Sequence, residues 1–172
     1  MVNGFAFVLC LGYLLKMGWY MNVADVLWVL FDMILLVLFG STLSSIISFP
    51  LTTQGQLSAV GTIVSAGYGF ICGAYMPISQ FGDGLQKVLS FLPGTYGTSL
   101  LRNHALNGVF GEMSEAGFPD EVIDGIKDSV DCNLYFFDDK VATGTMYIIL
   151  AASVTVLIGI YIMINVLRKG NR

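Results

Sequence analysis

One histidine, three cysteines and twelve acidic residues are what this 172-residue sequence offers for acid–base, nucleophilic or metal chemistry. His104 is the sole imidazole and stands beside Arg102 and Asn103. No serine-protease triad, HExxH zinc motif or pair of intramembrane acids can be assembled around it. No GxxxxGK[ST] loop is present to cradle a phosphate, so nucleotide chemistry belongs on another chain. Cys10, Cys72 and Cys132 form no CxxC, and two of them lie in apolar stretches. Neither a metal site nor an internal disulfide is expected from them. Asp32 is the acid that stands out, because it is the only charge inside an apolar span. It sits about two turns from the outer end of its helix, near 10 Å deep. An intramembrane carboxylate is by default a candidate functional site. The preferred expectation is blander: Asp25 and Trp28 mark the interface one to two turns earlier, so Asp32 faces a wet outer vestibule or pairs with a base such as Lys16. No buried acid or histidine is expected beside it, and His104 reads as an interfacial polar residue.

The elements that must carry these residues follow from composition. Hydrophobic residues make up 55% of the chain and charged ones 12%, about half the charge of a soluble domain. Mean hydropathy is +0.75. No charged residue or histidine occurs from Met33 to Gly82 or from Val141 to Leu167. A spanning helix needs about 20 mainly apolar residues. These patterns exclude a soluble globular domain, a disordered tail and a nucleic-acid binder, and they predict an all-α, polytopic membrane protein. About four spans are expected, near 5–17, 26–49, 56–76 and 142–167, with Pro50 and Pro77 closing the second and third. The first is short, and without a basic residue before it or a small-residue cleavage site it does not read as a secretory signal.

Residues 78–141 carry ten acids against four lysines and arginines, whereas residues 168–172 carry Arg168, Lys169 and Arg172 with no acid. Basic residues flanking a span stay cytoplasmic. The C-terminus is therefore expected inside, residues 78–141 outside, and the Pro50–Gly55 link inside. That link offers Thr52, Thr53 and Gln54, with Gln56 just beyond, as hydrogen-bonding groups. In the outer segment, Leu85, Val88, Leu89 and Leu92 recur at helical spacing up to Pro93. Leu100, Leu101, Ala105 and Leu106 suggest a second short helix after Gly94, both lying at or dipping into the interface. Pro119 opens an acidic helix with Val122, Ile123, Ile126 and Val130 on one face.

Gly61, Ser65, Gly69 and Gly73 form a ladder at i, i+4 spacing on the third span. Gly40, Ser44 and Ser48, with Ser41 and Ser45 on the next line, form a matching stripe on the second. Small residues let helix backbones approach where lipid supplies no hydrophobic drive. The two helices are expected to form a tightly packed pair, either a plain packing face or one that slides or opens against a partner.

The run Gly73-Ala-Tyr-Met-Pro77, an amphipathic segment, and then Leu92-Pro-Gly-Thr-Tyr-Gly-Thr-Ser-Leu-Leu-Arg102 resembles the membrane subunits of ABC-2 type transporters. The positions that match are Gly73, Pro77, Pro93, Tyr96 and Arg102. The likeness covers most of residues 1–110 and the final helix, while 111–140 resembles an insertion carried by some bacterial members. The family pattern has six spans, an amphipathic N-terminal helix and a cytoplasmic loop that docks the ATPase, so four spans look like the C-terminal two-thirds of a permease.

What the resemblance implies is a bacterial exporter permease in the cell membrane. It would itself be no enzyme and bind no cofactor, with ATP held by a partner nucleotide-binding subunit. A second membrane subunit, identical or different, would complete a translocation path gated near the third span and the outer helices. The alternative is a non-transporting membrane scaffold or assembly protein.

Overall fold

The computed structural model describes residues 20–137 and 139–170. The expected first span at 5–17, Lys16, Cys10 and the last two residues of the tail lie outside this range. Helix α1 (Val23–Ser48) starts where the carboxylate of Asp25 accepts the Asn22 backbone N–H at 3.0 Å, one of the donors that every helix start leaves unpaired. It stops just before Pro50. Helix α2 (Gln54–Ile71) is started by Thr53, whose Oγ1 accepts the Gln56 N–H at 3.3 Å while Gln56 Oε1 accepts the Thr53 N–H at 3.4 Å. It ends five residues earlier than the expected Met76. The chain reverses at Gly73, which has a left-handed φ of +80°, and the Ala74 N–H returns to the Gly69 carbonyl at 2.9 Å.

A short 3₁₀ turn (Ile78–Gln80) and helix α3 (Asp83–Leu89) lead to Pro93. This proline opens helix α4 (Pro93–Glu115), at a position where its missing N–H has no partner to lose. Helix α5 (Asp120–Ser129) and a minimal hairpin, β1 (Tyr135–Phe136) paired antiparallel with β2 (Asp139–Lys140), precede helix α6 (Thr143–Gly170). The all-helical expectation therefore gains one two-residue ladder.

The main departure from the sequence reading is α4. In place of a short interfacial helix, it is a 23-residue rod packed against both α1 and α6. Its residues meet α1 in reverse order: Gly97 lies against Leu36, His104 against Asp32, and Asn107 against Asp25. The two helices are thus antiparallel. Side chains at Gly97 and Gly108 would overlap Leu36 and the Tyr20 backbone. Glycine is what allows this approach. Around the three-helix junction lies the main core of Phe39, Tyr96, Leu100, Leu134, Met146, Leu150 and Val154. A smaller cluster of Phe110, Ile123 and Cys132 seats α5. Of the predicted apolar face of α5, Ile123 is buried, while Val122 and Ile126 are exposed.

Among the described residues, two helices are long and apolar enough to cross a membrane: Val23–Ser48 and Thr143–Arg168. Only 17% and 11% of their most apolar windows are buried. The central helix of a soluble protein would be mostly covered, so these faces are built for an apolar surrounding. Helix α2 does not reach that mark, and four spans is more than these residues display.

Candidate functional site

The five motif residues lie at or beside one hub where the chain turns back after α2. Arg102, from the middle of α4, donates through Nη2 to the Gly73 carbonyl and reaches Asp131 Oδ2 from Nη1 at 3.3 Å. The Asp131 carboxylate also accepts the backbone N–H groups of Ile78 and Ser79, the latter at 3.0 Å. These open the 3₁₀ turn that follows Pro77. One turn before Arg102, Thr98 Oγ1 donates to the Cys72 carbonyl at 2.7 Å. Tyr96 donates its hydroxyl to the Ser90 carbonyl at 2.6 Å, and Pro93 starts the helix that carries all three. Backbone groups freed by the reversal are thereby paired rather than left bare near lipid. Gly73 is confined twice over: its φ is left-handed, and an added Cβ would stand 3.0 Å from Ile78 Cγ1 and 3.5 Å from Asp131 Oδ2.

Asp131 is the residue that sequence reasoning missed. It is buried and adopts φ +55° immediately after α5, a conformation in which Asp and Asn are enriched. Nothing in its local sequence points 53 residues back to Ile78. Next to it, Ser99 Oγ and Asn103 Nδ2 donate to the Cys132 carbonyl. Burial pushes the Cys132 thiol up to about 11.

Asp32 corrects a second expectation. It is fully buried and accepts the Tyr147 hydroxyl at 2.5 Å on Oδ1, while His104 Nδ1 stands 2.7 Å from Oδ2. The anticipated absence of a buried partner fails because α4 enters the bundle and carries His104 with it. Trp28 stacks on the imidazole with ring centroids 5.6 Å apart and planes 15° from parallel. Tyr147 is only the fifth residue of α6, about 6 Å along it. The cluster is therefore level with the N-terminal end of that helix, and the first turns of α1 extend past it.

The two small-residue stripes do face one another, but across an open cleft of about 240 Å³ lined by Gly40, Ser44 and Ser48 on α1 and Gly61, Ser65 and Gly69 on α2. The expected tight pair is not formed within the chain. Gly40 and Gly61 have nothing within 4 Å of an added Cβ, whereas Gly69 lies under the Tyr75 ring, and α2 buries none of its residues. At the opposite end, Thr52, Thr53 and Gln54 are exposed, with Thr53 engaged in starting α2. Among the described residues no group of three or more His, Cys, Asp or Glu side chains could hold a metal ion.

A family model described as ABC-2 type transporter matches residues 1–105. The chain belongs to that family. No curated protein and no solved structure matches it. Within this ABC-2 membrane domain, Gly73, Pro77, Pro93, Tyr96 and Arg102 all fall inside the matched stretch, and so do Asp32 and His104. Asp131 and Tyr147, the partners that complete the two clusters, fall outside it. Membership makes the chain a transport component of the membrane, not itself catalytic.

Proposed function

We propose that this chain is the membrane-spanning part of an ABC exporter. It would form a translocation path with a second membrane subunit and be driven by ATP hydrolysed on a separate nucleotide-binding subunit. The observation that carries the reading is the family match over residues 1–105, joined to a reversal after α2 whose Cys72 and Gly73 carbonyls are taken up by α4 and whose Ile78 and Ser79 amides are taken up by Asp131. Such a turn suits a chain that leaves and re-enters the outer interface.

Orientation follows from charge. Arg168, in the basic tail, lies 5.1 Å over the Phe49 ring, so the inner ends of α1 and α6 share one side. That side is cytoplasmic by the rule for basic flanks. In this placement the hydrocarbon holds Met33–Ser48 of α1, α2, and α6 beyond Tyr147. The expected span near residues 5–17, which lies outside the described residues, would be the fourth. The segment 78–141 then enters from the outer side, with the start of α4 dipping in beside Leu36, Phe39 and Leu150, and Thr52, Thr53 and Gln54 face the ATPase as a minor contact.

The test is purification of the chain from its native membrane in mild detergent. A co-purifying subunit with a phosphate-binding loop and vanadate-sensitive ATP hydrolysis is expected. A preparation that moves solute in vesicles with no ATP-hydrolysing partner would overturn the proposal and point to an ATP-independent carrier.

A further inference from the structure

We infer that Asp32, His104 and Tyr147 form an outward-facing proton-binding site, and that its proton fastens α1, α4 and α6 together. Each helix contributes one member, and the carboxylate is wholly enclosed. Asp32 touches both partners through its two oxygens in a place where water cannot solvate it. The sign of the whole cluster then depends on the imidazole. With His104 neutral, the group carries one uncompensated negative charge. With His104 protonated, it is a neutral, charge-assisted pair.

The groups that face this site add to the same balance. On α1, Asp25 is also buried and is held by Asn107 of α4 at 2.8 Å. It lies two helical turns above Asp32 on the same face and is the second acid on that side of the junction. From α6 comes Tyr147, which donates to the carboxylate and carries no charge. Arg102, two residues before His104, is already paired with Asp131. The His104 side chain keeps 17% of its surface exposed, at the level where α6 begins, so protons from the outer solution reach it. Imidazole is the side chain whose ordinary titration falls between pH 5 and 8. Acid outside therefore tightens the three-helix junction, and loss of the proton loosens it by leaving a buried charge.

Trp28 supplies the readout, because an imidazolium stacked on an indole quenches its emission. The chain, with Trp19→Phe to leave a single indole, is placed in lipid discs and its emission followed from pH 5 to 8.5. A single-proton transition is expected, together with a higher thermal unfolding midpoint at the acid end. His104→Gln, which keeps a hydrogen-bond donor, should abolish both. Asp32→Asn keeps the shape but removes the charge, and should move the transition down by at least one pH unit, a tenfold loss of proton affinity. A flat emission profile in the parent, or a transition that survives His104→Gln or ignores Asp32→Asn, would refute the site. A transition without any pH-dependent change in unfolding would refute the fastening role.

Discussion

At the scale of single residues, the hub around Gly73 gives the sharpest expectations. Alanine at Gly73 meets both a disfavoured backbone conformation and the Ile78 side chain, so Gly73→Ala should cost about 1–3 kcal/mol. Thermal unfolding in lipid discs measures it. Arg102→Gln removes the cation that faces a nearly enclosed Asp131. Breaking one side of such a pair costs about 3–5 kcal/mol when both partners are buried, and the lower end is expected here because Arg102 keeps 22% of its side-chain surface exposed. The paired change Arg102→Gln with Asp131→Asn should recover part of that loss. For Cys132, a thiol held near 11 leaves only about a thousandth as thiolate at pH 8. An impermeant maleimide should therefore label Cys132 at pH 8 far more slowly than a cysteine placed at the exposed Ser114.

Among the helices, the same residue type has opposite roles in α2 and α4. Gly97 is enclosed by Leu36 and Leu150, so Gly97→Leu should destabilise the bundle by about 1–3 kcal/mol through overpacking. Gly61 faces open space, and Gly61→Leu should leave the chain's own stability within about 0.5 kcal/mol of the parent. Equal losses for the two variants would mean that α2 packs more closely than the open cleft indicates. The i, i+4 ladder on α2 was legible in the sequence, but what it packs against was not, since spacing alone names no neighbour. Conversely, α4 was misjudged because four glycines and several polar side chains break up its apolar pattern, leaving what read as one short interfacial helix. Of these, Gly97 lies where α1 and α6 approach, Gly94 meets Tyr68 of α2, Gly108 meets the Tyr20 backbone, and Gly111 faces open space. Its polar side chains are consumed by carbonyls and acids from segments far away in the sequence. The starts of α1 and α2 fall within two or three residues of the expected 26 and 56, because the apolar runs begin there, although the caps at Asp25 and Thr53 went unread.

For the molecule as a whole, the charge asymmetry makes a topological prediction. In intact cells lacking the native cysteines, Ser114→Cys should react with an impermeant thiol reagent and Asn171→Cys should not. Labelling of the tail without the outer segment would invert the arrangement. The purified chain in lipid is also expected to show no ATP hydrolysis of its own. Membrane character and family were accessible from long uncharged runs and from the Gly73–Arg102 motif, because both depend on composition and order alone. The closing of that motif was not. Its acid comes from beyond the family-matched stretch, and only the path of the chain through space brings it there.

That arrangement sets a timetable for biosynthesis. The Ile78 and Ser79 amides and the Arg102 guanidinium all wait for Asp131, which leaves the ribosome roughly 50 residues after the first of them. At about 5–20 residues per second, the reversal spends some seconds with its donors unmatched beside the bilayer. During that interval it depends on water at the outer surface, or on an insertase, to shield them. A chain truncated after residue 115 and held on the ribosome by a tunnel-spanning linker should therefore have its α2–α4 turn open to protease, and one truncated past residue 140 on the same linker should have it protected.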